Sequence, residues 1–395
     1  MKKVLFYLLV VALFSCEATD ESLLNAPQDS FSNEKNFVSL DYAKSIASVY
    51  NGSYVPAGDE LVTRGVEVRG VAQTMTVQND NGSSVFYIIN MEGGGFRVIS
   101  ADNRLEPVLA SSEEGELTND RIGENPGLQM WVDGMIHHVT SVMASDEQQS
   151  DVAKALWNDV NPIQPTTTIS SSIPDCAYDG QRITEVEYFG PQISSNWYQT
   201  GGFNELFPNG GCNSYFNPNG NYPAGCNTIA AGIAMRYKQK PGFNWADMPW
   251  TGATTTTARF LEELARIIGS NYSCSGTTAT LADVRDALRY YGYNNANVAS
   301  FSESEAGRQI NMYGVVIMRG DKNDGMIGHA WAATGARLLK ISQCSQSPYG
   351  WQTTVISTDY DQFFIDWGFN DGSNGWYTSS GFKYPYNLSM VVNIY

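Results

Sequence analysis

The sequence predicts an α+β protein in two parts, on three observations. Short helix-like and strand-like patterns are mixed within the first 145 residues. A polar stretch with Pro162, Pro165 and a Thr/Ser run to Ser172 then interrupts all hydrophobic patterning. Beyond it, helical patterns come first and strand patterns last, which segregates the two element types instead of alternating them.

In the first part, residues 42–50 carry apolar side chains at helical spacing. Residues 66–76 and 85–90 read as strands, and the turn Glu92-Gly93-Gly94-Gly95 folds the second of these back on residues 96–102 as a hairpin. Residues 127–139 have helical periodicity despite Gly134. Residues 17–35 read as a polar tether, 36–145 as a compact domain, and 146–172 as an exposed linker with a short helix around Trp157. The second domain, residues 173–395, has helices at 226–237, 257–268, 281–291 and 303–312. Strands follow at 314–319, 329–336, 363–367 and 375–377.

Composition bounds the function. The 395 residues suffice for two or three domains, and 42% hydrophobic against 16% charged residues is a globular balance. A net charge of −17 argues against a nucleic-acid partner, because phosphates need basic patches. Lys2 and Lys3 precede an apolar run at 4–14 that is too short to span a bilayer. That run ends in Leu13-Phe14-Ser15-Cys16, which resembles a bacterial lipobox and would make Cys16 the lipidated first residue after a signal peptide of residues 1–16. An ordinary secretory signal is the alternative. Either reading implies export; lipidation implies an outer-membrane or cell-surface protein that meets the membrane through its anchor alone. Glu17, Asp20 and Glu21 resemble an acidic surface-export tag.

The chemistry centres on Cys226. A Pro/Gly turn delivers it to the first turn of an Ala-rich helix, where partial positive charge and unpaired N–H groups favour thiolate. A buried structural cysteine fits that stretch equally well. Five cysteines follow Cys16, and an odd number in an exported protein marks one free thiol. With Cys226 free, Cys176, Cys212, Cys274 and Cys344 pair in three ways, or stay reduced in an anaerobic habitat. Of three histidines, His137 and His138 lie in the first part, so His329 is the one base of its type available to Cys226 in the second. Asp366 is placed to orient the imidazole from a neighbouring strand, with Trp367 shielding that contact from water. Gln199, after Trp197 and Tyr198, would supply an oxyanion donor beside the Cys226 N–H. Each of these residues also has a plain structural reading.

Together, Trp197-Tyr198-Gln199, Ala224-Gly225-Cys226-Asn227, Gly328-His329-Ala330 and Asp366-Trp367-Gly368-Phe369 resemble the streptopain family of papain-like cysteine peptidases. The first part is similar to that family's propeptide through residues 86–90, 95–102 and 107–110. The resemblance implies a papain-like catalytic domain, one half helical and the other an antiparallel sheet or barrel, behind an α+β inhibitory propeptide. It implies a cysteine endopeptidase made as a zymogen, with Cys226 as nucleophile, His329 as acid/base and Gln199 in the oxyanion hole. Trp367 would pack beside the histidine. No cofactor or metal is implied. The implied partners are protein or peptide substrates, the pro-domain in cis, and an activating protease. That activator would be the chain itself or a trypsin-like enzyme cutting at Lys154 or Arg182, with release of soluble enzyme. Asp366 and Phe369 depart from the family's usual Asn-Trp-Gly-Trp, Asn227 from a small residue after the nucleophile, and Ala110-Ser111 from Gly-Tyr in the pro-region. Specificity residues are expected on loops within 313–326 and 340–362. The competing readings are a catalytically inactive surface-binding module on the same fold, and a different thiol acyl-transferase or amidase.

Overall fold

Strand pairing joins the two parts directly. The computed structural model describes residues 35–50, 68–160, 176, 179–180, 182–214, 217–321, 328–383 and 387–395. The expected signal peptide with Cys16, most of the tether and residues 161–172 of the linker lie outside that range. In chain order the first part holds α1 (Leu40–Val49), β1 (Val71–Gln78), β2 (Ser84–Met91), β3 (Phe96–Ser100), β4 (Val108–Ser112), α2 (Asn119–Glu124), α3 (Pro126–Met143) and α4 (Asp151–Asp159). The second holds β5 (Arg182–Phe189), α5 (Cys226–Lys238), α6 (Thr255–Ile268), α7 (Leu281–Tyr290), β6 (Asn297–Ser300) and α8 (Glu303–Tyr313). It ends with β7 (Val316–Asp321), β8 (His329–Ser347), β9 (Gly350–Asp366), β10 (Gly375–Thr378) and β11 (Asn387–Val392).

Local chemistry sets most helix starts. Ser39, Thr118, Asn125, Ser150, Thr254, Thr280 and Ser302 each accept a first-turn N–H, and Thr280 with Asp283 completes a capping box. Among the described α-helices, α5 alone lacks a side-chain cap: its N-cap is Gly225.

The strands form one antiparallel sheet in the order β1-β2-β3-β4-β10-β9-β8-β7-β11-β6, with β5 also on β8. The seam between the parts is β4 against β10, with Ala110 opposite Tyr377 and Ser111 opposite Trp376. One hydrophobic core therefore serves both parts, combining Phe86, Val98, Leu128 and Trp131 with Trp331, Phe363, Trp367 and Phe382. A second core packs α5, α6 and α7 together as the helical half. A third lies on the far side of β2 and β3, under α1 and α4. The α+β class and the helical-plus-sheet division of the second part are as the sequence predicts.

Several elements depart from expectation. Residues 340–362, expected to be a specificity loop, are instead the long β8–β9 hairpin, paired through Ser347 opposite Gly350. Thr353, Thr354, Val355 and Ile356 suit a strand by β-branching, but both their faces are exposed, so no hydrophobic alternation announces it. The first strand begins at Val71 and runs to Gln78. Strands β4, β5, β6 and β11 are additional. The linker helix is exposed on one face only: Ala153 and Trp157 are buried, with Trp157 stacked on Tyr42 and donating through Nε1 to the Leu105 carbonyl at 2.8 Å. The cysteines pair Cys176–Cys344 and Cys212–Cys274, leaving Cys226 free.

Trp131 tests the shared core. It is fully buried, meets Tyr377 edge-on at 4.9 Å, and donates through Nε1 to the Thr378 carbonyl at 3.0 Å. Trp131→Ala should cost about 3–5 kcal/mol. In urea unfolding, probes in both parts should shift together; movement of a first-part probe alone would mean the parts fold independently.

Candidate active site

Helix α5 is buried on every side over its first ten residues, so its position is fixed by packing. Gly225 enters it with φ of 87°, and a Cβ there would stand 2.8 Å from the Thr277 carbonyl oxygen. Only glycine fits that turn. Because Gly225 offers no capping side chain, the first-turn N–H groups around Cys226 have no such partner.

His329 opens β8, whose neighbour β7 aligns Gly320 with it. This brings the imidazole to Cys226. Burial pushes the thiol up, but the His329 charge and hydrogen bond, the Ala330 N–H and the Arg319 charge outweigh it, holding the thiol below its ordinary value. The His329 Nε2 lies 2.9 Å from the Trp367 carbonyl oxygen. The ring is flanked by Phe369, with centroids 5.3 Å apart, and by Trp331 at 6.2 Å. Nδ1 is the nitrogen left for the sulfur.

Asp366 does not hold the imidazole. Its Oδ2 accepts the Ser195 N–H at 2.8 Å and its Oδ1 the Gly368 N–H at 3.0 Å. Asp366 pairs with Ala332, three residues beyond His329, and it is the next carbonyl along the chain that reaches the ring. Asn374 completes the arrangement: its Oδ1 accepts the Trp367 N–H at 3.0 Å and its Nδ2 donates to the Ser195 carbonyl at 3.1 Å. The Trp367–Gly368 peptide thus offers its C=O to His329 and its N–H to Asp366. Trp367 packs between Trp331 and Tyr377, at 5.3 and 5.0 Å. Gln199 sits beside the turn into α5, its carbonyl accepting the Ala224 N–H at 2.8 Å. Asn227 donates through Nδ2 to the Ala279 carbonyl at 2.9 Å, which also accepts from Arg319 at 2.8 Å.

The site is covered, with Cys226 9% and His329 3% exposed. The cover is the N-terminus of α3. A Cβ on Gly127 would come within 2.7 Å of both His329 Cδ2 and Trp367 Cε3. Asn125 caps the helix through Oδ1, and its Nδ2 donates to Ser373 Oγ at 3.2 Å and Asp371 Oδ2 at 3.3 Å. Sequence reasoning missed Asn125, Gly127 and Asn374. Asn125-Pro126-Gly127 is visible as a helix start, but its target, some 200 residues away, is not.

Residues 35–139 match the family described as Spi protease inhibitor. No curated protein matches the chain. Among solved structures it is similar to a fragment of prointerpain A from Prevotella intermedia, with a TM-score of 0.53 and 16% identity, over 82% of this chain and 98% of that one. The two share a fold. In both cases the correspondence includes the first part, which here covers the cysteine.

Asp366 makes stability pH-dependent. Burial pushes its carboxyl up to about 6, against the pull of its Ser195, Gly368 and Asn374 hydrogen bonds. The folded protein then binds more protons than the unfolded chain between about 4 and about 6. The resulting stability is full below that window and lost as pH rises through it. Asp366→Asn should flatten the slope by up to about 1.4 kcal/mol per pH unit in urea titrations. Parallel wild-type and variant curves would exclude this assignment.

Proposed function

We propose that this chain is an exported, lipid-anchored cysteine endopeptidase made as a zymogen. The observation that carries the reading is Cys226, at an uncapped helix start against His329, sealed beneath the α3 N-terminus. The Spi protease inhibitor match over 35–139 and the prointerpain A fold support it. In the proposed reaction the Cys226 thiolate attacks a peptide carbonyl, while its own N–H and the Gln199 side-chain amide hold the oxyanion. The His329 imidazolium, held by the Trp367 carbonyl, protonates the leaving amine. Water, activated by His329, then hydrolyses the thioester. Asp366 contributes through the Trp367–Gly368 peptide. The anchor is Cys16, and the site of action the outer membrane or cell surface.

Activation in this reading means cutting the chain behind the first domain. Lys154 lies within helix α4, and the Arg182 backbone is already paired with Gln343 at the start of β5, so neither offers a free extended segment for a protease to grip. Residues 155–181 contain no Lys or Arg. Cleavage between 161 and 175 by a protease of non-tryptic specificity, the chain itself included, fits these facts better than a trypsin-like activator.

Cys226→Ala should abolish both casein hydrolysis by the processed form and labelling by a thiol-directed inhibitor; residual cleavage would exclude the nucleophile. The cover has its own test. Gly127→Leu suits a helix but drives a side chain into His329 and Trp367. In the full-length chain it should speed iodoacetamide alkylation of Cys226 about tenfold or more, on the scale of a kilocalorie-level loss of docking. An unchanged rate would show that α3 does not shield the thiol.

A further inference from the structure

The seam between the two parts buries a carboxyl that the chemistry above does not use. Glu106, between β3 and β4 of the first part, reaches into the second, where the Thr378 hydroxyl donates to its Oε1. Its Oε2 lies 4.0 Å from an Arg337 nitrogen. That guanidinium is already engaged: Arg337 Nε donates to Asp361 Oδ1 at 2.9 Å, and its NH2 group pairs with Oδ2. The three side chains are 16%, 8% and 14% exposed, for Glu106, Arg337 and Asp361. Two carboxyl groups thus share one guanidinium, and the second part's own carboxylate holds the better geometry.

Among the described residues, Arg337 is the one cation paired with Glu106. On α8, Glu303 faces the same cluster and is matched by Lys383 at 3.0 Å and by the Ser379 hydroxyl. Tyr188 on β5 and Tyr50 after α1 lie against Arg337. Across the seam on α3, burial and then Lys383 lower the His138 pKa.

We propose that Glu106 is a pH latch: the first domain docks with Glu106 protonated, and ionising that carboxyl beside Asp361 as pH rises loosens the cover over the active site. Burial first, and then the Asp361 charge, push Glu106 up to about 7, whereas a solvated glutamate titrates near about 4.3. The docked state therefore binds the extra proton, and docking weakens as pH rises from about 4.3 to about 7, levelling off above that. His138 works in the opposite direction, since burial and then Lys383 disfavour its proton in the docked state.

The latch deepens the zymogen reading, because what it releases is the cover over Cys226, yet its test needs no catalysis. The full-length chain carrying Cys226→Ala cannot process itself by the proposed chemistry. Amide hydrogen exchange at 108–112 and 375–378, corrected for intrinsic rates, would report opening of the seam from pH 6 to 8.5. Opening should rise about tenfold in this chain and stay flat when Glu106→Gln is added, because glutamine keeps the acceptor for Thr378 without a charge. Equal pH dependence in the two proteins would overturn the latch. So would a seam already opened by Glu106→Gln at pH 6, which would make the carboxylate a structural partner of Arg337. Failure of the peptidase reading would appear instead as processed wild-type protein that hydrolyses nothing.

Discussion

The pairing of β4 with β10 is the constraint on which the remaining arrangement depends. It is short, with two opposed residue pairs, yet it fixes the first part's sheet as a continuation of the second's. Once that register is set, α3 must lie across the shared face, where Trp131 enters the aromatic group of Trp331, Trp367, Tyr377 and Phe382. Its N-terminus then arrives over His329 with no space for a side chain at Gly127. Coverage of the cysteine is thus a consequence of sheet geometry plus one glycine, and α3 needs no specific bond to the sulfur.

Around the imidazole, backbone does what a side chain was expected to do. A peptide carbonyl is a neutral, strongly directional acceptor, and it is fixed by the fold more firmly than a rotatable carboxylate. Asp366 and Asn374 hold the N–H groups on either side of that carbonyl, at Gly368 and Trp367. A buried carboxyl costs least when several N–H groups satisfy it, which is how Asp366 is kept so far from water. The arrangement separates charge from contact: Cys226 meets the ring directly, while the carboxyl is one peptide removed.

Local features of the site were legible in the sequence. The Pro/Gly entry to α5, the odd cysteine and the scarcity of histidine single out Cys226 and His329, and the structure brings those two together. The helices were legible for the same reason, since caps and 3.6-residue spacing are written within a dozen residues. What escaped is set by distant partners. Asp366 reads identically whether it faces a histidine or the Ser195 backbone, and Gly127 reads as a weak point in a helix until His329 is placed against it. The β8–β9 extension escaped because strands exposed on both faces carry no alternation. The β4–β10 seam left no trace because strands so far apart in the chain, Ala110 against Tyr377, need share no pattern.

Separating the two parts has a consequence for solubility. It would leave β10 as a sheet edge with bare N–H and C=O groups, next to the aromatic surface that Trp131 had filled. When such edges are long and flat they recruit other chains. At four residues, ending directly in the 3-10 turn Ser379–Phe382, β10 is about as short as a strand can be. Its brevity makes a seam strong enough to organise the intact chain and too small to become an adhesive strip once the partner strand has gone.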